Sequence, residues 1–318
     1  MIQSLNKLTL LLLVGCGIAV CFAGELPEAQ VTVRVIDEET SKPISSAETR
    51  VTFNVPDGQG GTKPLSRRGF TDADGRFTAA EKALFNLSLH AAKDEYYPTG
   101  RSFDFKPTLA GRYEPVNPIL SLALRSVVKP APMYARRNLR LTIPSVDGPI
   151  GFDLVVSDWV KPYGNGETSD FIFRLKRVSD PTGGSCATLT ITFSDPNDGI
   201  QPVFADPRQG SALRLPRVAP ESGYQAQWQA THCVSKQEEP RMDQNYFYRV
   251  RTVRDAGKIK SAFYGKIHGE IEFDTINAKT AMILFSYYLN PDGSTNLEFD
   301  PKKNLLTALS ALERVIDP

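Results

Sequence analysis

The sequence predicts an all-β protein made of two sandwiches, the second larger and closed by one C-terminal helix. Three observations carry this. Short runs of alternating apolar and polar residues recur through the whole chain, as in Gln30–Asp37, where Val31, Val33 and Val35 share one face and Thr32, Arg34 and Ile36 the other. Turn residues separate the runs, with 23 glycines and 23 prolines distributed among them. Only Lys303–Ile316 carries a helical stripe, through Leu305, Leu309, Leu312 and Ile316.

The chain of 318 residues is long enough for two cores. Its 37 Lys and Arg balance 36 Asp and Glu, which leaves no polybasic field for nucleic acid or anionic membrane. Met1–Ala23 reads as a signal peptide: Lys7 gives the positive start, Leu8–Ala23 the apolar run, and Glu25 and Glu28 close it. That run is short for a spanning helix, which needs about 20 apolar residues. Two cleavages compete. Cys21-Phe22-Ala23 would release a soluble protein at Gly24, whereas Leu13-Val14-Gly15-Cys16 resembles a lipobox that would place a lipid on Cys16. Either reading takes the protein out of the cytoplasm, as secreted, periplasmic or cell-surface. Contact with a membrane would come only through that N-terminal lipid anchor. Two cysteines then remain, Cys186 and Cys233, and in an oxidising compartment they are expected to form a disulfide.

The first domain is expected over residues 27–125. Gln30–Asp37 and Thr49–Val55 alternate cleanly, a Gly/Pro-rich loop over Pro56–Pro64 follows, and Thr71-Asp72-Ala73-Asp74-Gly75 predicts a tight hairpin. Phe85–Ala91, Arg101–Phe105 and Ile119–Leu124 complete the set. Asp72, Asp74 and Gly75 do not start a calcium loop, because Arg76 and Ala83 stand where oxygen ligands are needed. The opening VTVRVIDEETSKPISSAETRVTF, the GFTDADGRF turn and the Ala91–Tyr97 segment ending in Tyr-Tyr together resemble the carboxypeptidase regulatory-like domain, a transthyretin-like sandwich. The resemblance spans under a third of the chain. It implies an accessory module that supports folding or presents a surface to a peptide, glycan or partner, and it implies no reaction.

Residues 126–134 are expected to link the domains, since Val127–Met133 contains two prolines and no periodicity. Residues 135–318 then supply further strands: Gly151–Val156, Asp170–Val178, Ala187–Phe193, Tyr224–Thr231, Asn245–Val253, Lys260–Phe273 and Ala281–Leu289. This spacing fits a two-sheet sandwich or jelly roll of unknown function. It resembles uncharacterised secreted bacterial β-domains, and that resemblance transfers no residue.

Catalytic and metal signatures are absent. His90, His232 and His268 lie far apart, no H-E-x-x-H or G-x-S-x-G occurs, and Gly-rich phosphate loops are missing, so no cofactor and no metal are expected. A paired-carboxylate hydrolase acting on polysaccharide remains the enzymatic alternative, with Asp153, Asp158, Glu270 and Glu272 as its candidate acids. The most ligand-like stretch is Asp158–Asp170, where Trp159, Tyr163, Asn165 and Asp158 combine flat aromatic faces with amide and carboxylate partners and two glycines. The sequence therefore predicts a non-catalytic binding or scaffold protein that takes a glycan or a cell-envelope protein. A purely structural envelope protein is the third reading, in which Trp159 and Tyr163 would be buried. The sequence sets no oligomeric state.

Overall fold

In a computed structural model, residues 26–146, 148–179, 185–233, 241–277 and 280–318 are described. The segment Met1–Ala23, with Cys16, lies outside them. Every regular element among the described residues is a strand. The first ten are β1 (Glu28–Asp37), β2 (Glu48–Pro56), β3 (Thr62–Phe70), β4 (Arg76–Lys82), β5 (Asn86–Ala92), β6 (Tyr96–Tyr97), β7 (Thr99–Asp104), β8 (Lys106–Pro107), β9 (Tyr113–Glu114) and β10 (Ile119–Ser126). The remainder are β11 (Ala131–Thr142), β12 (Ile150–Asp153), β13 (Asp158–Trp159), β14 (Phe171–Ser179), β15 (Ser185–Thr192), β16 (Gly199–Phe204), β17 (Gly210–Ser211), β18 (Gln227–Cys233), β19 (Gln244–Asp255), β20 (Lys258–Ile267), β21 (Glu272–Asn277), β22 (Thr280–Asn290) and β23 (Phe299–Asn304).

One sheet runs β4-β1-β10-β6 and faces a second that runs β17-β7-β5-β2-β3. Their inward residues, among them Val31, Val33, Val35, Phe53, Leu89 and Leu122, form one core drawn from residues 29–124. The period-2 pattern sets this directly: each inward valine of β1 removes its side chain from water, at about 25 cal/mol per Å² of apolar area. β1 also pairs in parallel with β10, which ties the start of this unit to its end.

The Thr71–Gly75 turn forms as expected, but it does not join two paired strands. β3 pairs with β2, whereas β4 pairs with β1 in the opposite sheet, so the turn is a corner between layers. Thr71 causes the crossing. Its hydroxyl donates to Ile44 O (2.7 Å) and accepts from Ala47 N (2.9 Å), which pulls the chain off the β2–β3 ladder. Asp72 Oδ1 then accepts from the backbone N of Asp74 and Arg76 and closes the bend. Gly75 sits at φ +71, and a Cβ there would lie 2.5 Å from Val35 O. Gly75→Ala is therefore expected to cost about 1–3 kcal/mol from backbone strain and crowding. Chemical denaturation reads this, and an unchanged midpoint would remove the corner's requirement for glycine.

In the second unit a seven-stranded sheet, β16-β19-β20-β22-β11-β23 with β21 on β22, faces the sheet β13-β12-β14-β15-β18. Its largest core is aromatic, built on Phe152, Trp159, Phe171, Phe173, Tyr248, Phe285 and Tyr287. Cys186 and Cys233 stand opposite each other on β15 and β18 and are bonded, with Cα atoms 4.1 Å apart.

The expected C-terminal helix is absent. Lys303–Ile316 begins inside β23, which runs parallel to β11, and continues as turns. The side chain of Asn304 explains why. Its amide clasps the backbone of Ala135 from both sides, donating to the carbonyl (2.7 Å) and accepting from the N–H (3.2 Å). Farther on, Arg137 N donates to Glu313 O and the Arg136 guanidinium holds the Glu313 carboxylate. These bonds fasten an extended tail, so Leu305, Leu312 and Ile316 stay exposed while Val315 and Pro318 are buried.

The segment expected to link the units is pinned as well. β11 starts at Ala131, and Met133 is fully buried. Glu298, with no exposed surface, accepts from Val128 N (2.8 Å), Lys129 N (2.7 Å) and Tyr97 Oη (2.9 Å), while Arg217 Nε lies 3.3 Å away. Arg125 spans the same joint, pairing with Glu38 and donating to Leu213 O and Leu215 O. Tyr97→Phe removes one donor to a buried carboxylate and is expected to cost about 1.5–3 kcal/mol in urea unfolding. A loss below about 0.5 kcal/mol would mean that Glu298 does not hold the joint.

Candidate functional site

The Asp158–Asp170 stretch divides into buried and exposed parts. β13 lays Trp159 opposite Phe152, and the indole makes edge-on contacts with Phe152 (5.4 Å) and Phe173 (5.6 Å). Trp159 is 7% exposed, so its faces belong to the core and offer no platform to a sugar ring. Tyr163 is the exposed aromatic of the stretch, at 49%. Asp158 spends its carboxylate on the loop itself: Oδ1 accepts from Trp159 N (2.8 Å), and Oδ2 from the backbone and side-chain nitrogens of Asn165 (2.9 and 3.0 Å). The two glycines serve close packing. A Cβ on Gly164 would meet Trp159 O at 2.4 Å, and one on Gly166 would meet Asp153 Cβ at 2.8 Å. The structure thus brings Asp158 and Asn165 together, leaves Tyr163 outward and takes Trp159 away.

A carboxylate pair does exist, and it involves one expected acid and one that sequence reasoning passed over. Asp153 and Asp170, each 2% exposed, share the guanidinium of Arg251. Arg251 Nε donates to Asp170 Oδ1 (2.7 Å), and its NH2 donates to Asp153 Oδ1 (2.7 Å) and Asp170 Oδ2 (2.9 Å). Backbone N–H groups fill the other positions. Asp153 accepts from Val155, Val156, Glu167 and Thr168, and Asp170 accepts from Leu154. Burial pushes the Asp153 carboxyl up, but the N–H bonds from Thr168, Glu167 and Val156 together with Arg251 outweigh it and hold the group below its usual range. In Asp170 burial prevails over Arg251 and Leu154, and its carboxyl is raised. A general acid for glycoside cleavage needs a raised carboxyl that faces substrate. Asp170 faces an arginine. The arrangement is a fastening that closes the 153–170 loop onto the large sheet.

Arg251 had one visible signal. It stands with Arg249 in a run of buried aromatic and aliphatic residues, Tyr246, Phe247, Tyr248 and Val250, where an inward charge requires a partner. A bulge after Val250 and φ +55 at Arg251 turn the side chain toward the acids. Arg249 is used differently, donating to Asn197 O and Glu221 O over the Tyr224 ring.

His90 and His268 border one cleft, whereas His232 stands apart from them. His232 has Nδ1 4.0 Å from Asp274, and its neighbour Cys233 is bonded to Cys186, which removes a Cys–His dyad. Among the described residues, no group of three His, Cys, Asp or Glu is placed to hold a metal. Glu272 is exposed and Glu270 half-buried.

A polar cleft of about 400 Å³ opens instead where the two units meet, within the range of about 300–1,000 Å³ usual for ligand pockets. The two-residue β17 adds to the edge of β7 there, with Gly210 opposite Gly100 and Ser211 opposite Thr99. Arg101, Arg125, Arg214, Glu38, Asp206 and Gln209 line the cleft. Lys266 has its Nζ 4.6 Å over the Tyr288 ring, and His268, which lines an adjoining cleft, has its ring centre 4.6 Å from that of Tyr288. Among the described residues, neither Lys266 Nζ nor His268 Nε2 has a hydrogen-bond partner. Burial, then the charge of Arg214, pushes Lys266 down to about 7. Burial, then Lys266 and Arg214, lowers His268 as well.

No family model and no curated protein matches the chain, so the likeness to the regulatory-like domain rests on the residues quoted for it. Among solved structures, the chain is similar to the shaft pilin SpaA from Lactobacillus rhamnosus GG at 8% identity and a TM-score of 0.20, covering 75% of this chain and 92% of that one. It is also similar to a protein from Bacteroides uniformis ATCC 8492 described as a candidate carbohydrate binding protein, at 9% identity and a TM-score of 0.21, covering 81% and 98%.

Proposed function

We propose that this chain is a non-catalytic extracytoplasmic β-protein that binds a glycan or a cell-envelope protein and holds it on a rigid two-unit frame. The observation that carries the reading is the occupation of Asp153 and Asp170, the second unit's converging acids, by Arg251 and backbone N–H groups. With those two acids occupied, the loops and clefts remain as surfaces for binding. The Cys186–Cys233 bond supports an oxidising compartment, and the leader read from Met1–Ala23 points the same way. The fold suits the role, because loops and clefts on a fixed sandwich bind without reorganising.

A screen of the purified protein on a glycan array and against envelope extracts tests the proposal. Saturable capture of one ligand class with the ligand unaltered is the expected result. Conversion of the ligand would overturn it. The burial of Trp159 favours a second reading, a purely structural envelope protein, whereas the exposed Tyr163 does not; for that reading the screen would return no ligand while the protein still sediments with the envelope.

A further inference from the structure

The cleft between the two units carries guanidinium groups that no described residue directly pairs with. Two of its ion pairs are closed within the protein. Arg125 is spent on Glu38, Leu213 O and Leu215 O, and Asp206 is spent on Arg208. Once those are set aside, the guanidiniums of Arg101 and Arg214 remain, and both line the same cleft. Arg101 Nε is buried and has no hydrogen-bond partner among the described residues. Arg214 makes no direct side-chain hydrogen bond or ion pair among the described residues; Asp206, whose carboxylate is held by Arg208, feels its charge only through space. A half-buried guanidinium without a partner is costly, because its N–H groups are drawn from water and nothing replaces it.

The surroundings add a second requirement. The floor is backbone, with Gly100 paired to Gly210 and no side chain between them, so a ligand can approach the ladder closely. Ser121, Ser211 and Gln209 add hydroxyl and amide groups beside the two arginines. Arg214 also borders the adjoining cleft lined by His90, His268 and Asp317, which extends the polar track past one residue. A rim of hydroxyls and amides around guanidiniums without a direct partner fits a ligand that is both anionic and rich in hydroxyls. An apolar ligand would strand every one of these groups.

We infer that the junction cleft is a binding site for an acidic saccharide, whose carboxylate or sulfate is held between Arg101 and Arg214. The anion would take the forked N–H donors of the guanidiniums, the geometry that makes arginine the preferred partner of such groups. Its ring hydroxyls would meet Ser121, Ser211 and Gln209. The inference rests on the reading of the protein as a non-catalytic binder and names the ligand class and the place. Because the cleft is built from both units, it exists only while the joint held by Glu298 and Arg125 is closed.

Calorimetric titration of the purified protein tests it with five probes: a trimer of galacturonate, a sulfated disaccharide, neutral maltotriose, inorganic phosphate and an acidic peptide. Saturable binding of at least one acidic saccharide, weakening as salt rises, is expected, together with much weaker binding of maltotriose and phosphate. Arg101→Ala and Arg214→Ala should each weaken that binding by about ten- to a hundredfold. Arg214→Lys, which keeps the charge and loses the fork, should recover part of it. Circular dichroism and an unchanged urea midpoint establish that each variant is folded. Equal binding of maltotriose, phosphate binding as tight as the saccharides, preference for an acidic peptide, or no binding of either acidic saccharide would each overturn the inference. If the array finds a glycan whose capture ignores Arg101→Ala and Arg214→Ala, this site fails and the binding function stands.

Discussion

Arg251→Ala is expected to destabilise the protein by about 3–5 kcal/mol, the cost of leaving buried acids without their cation. Asp153 and Asp170 are each 2% exposed, and both depend on one guanidinium. Without it the two carboxylates face each other in the core, and one must take a proton or the 153–170 loop must open. The pH dependence follows in sign. Asp153 is held below its ordinary value, so its contribution is present above that value and fades as acid protonates it. Asp170 is raised by burial, so it opposes folding as pH rises past its ordinary value, and Arg251 limits that opposition. The variant should therefore lose more stability at pH 7 than at pH 4. The triple replacement Arg251→Met, Asp153→Asn and Asp170→Asn should recover most of the loss, since no unpaired charge remains. Urea unfolding of the set decides the matter. A loss under about 1 kcal/mol in Arg251→Ala would show that the acids are solvated and free for other work.

The second large effect belongs to the disulfide. Cys186 and Cys233 are 47 positions apart, and closing such a loop is worth roughly 4 kcal/mol in the chain-entropy account. β18 is an edge strand whose neighbour on one side only is β15, so the bond fastens a strand that the ladder supports from one side alone. Cys186→Ala with Cys233→Ala is expected to lower the melting temperature by about 8–15 °C and to raise protease sensitivity first along β18. A shift below about 2 °C would mean that the β15–β18 ladder holds without the bond.

What could be read from the sequence was the periodic and the local. Val31, Val33 and Val35 face the core as their alternation requires, and Cys186 and Cys233 pair as the compartment argument expected. What escaped depends on partners distant in the chain. A Thr-Asp-Ala-Asp-Gly turn has the same local chemistry whether its flanking strands pair or part. Only the bonds from Thr71 to Ile44 and Ala47 decide for a corner. The stripe Leu305, Leu309, Leu312 and Ile316 has helical spacing, yet Asn304 docks the chain on Ala135 before a helix can start. Trp159, Tyr163, Asn165 and Asp158 looked like a ligand surface because composition cannot show that β13 turns the indole inward onto Phe152. Arg101 and Arg214 gave no signal at all, since each is an ordinary arginine until β17 joins β7.

The most direct test of the binding reading is the release of reducing ends from polysaccharides incubated with the protein, measured beside retention of the same polysaccharides on immobilised protein. The account predicts retention without release, identical in the wild type and in Asp170→Asn. Reducing ends that accumulate with the wild type and vanish with Asp170→Asn would contradict it and make the buried acids catalytic.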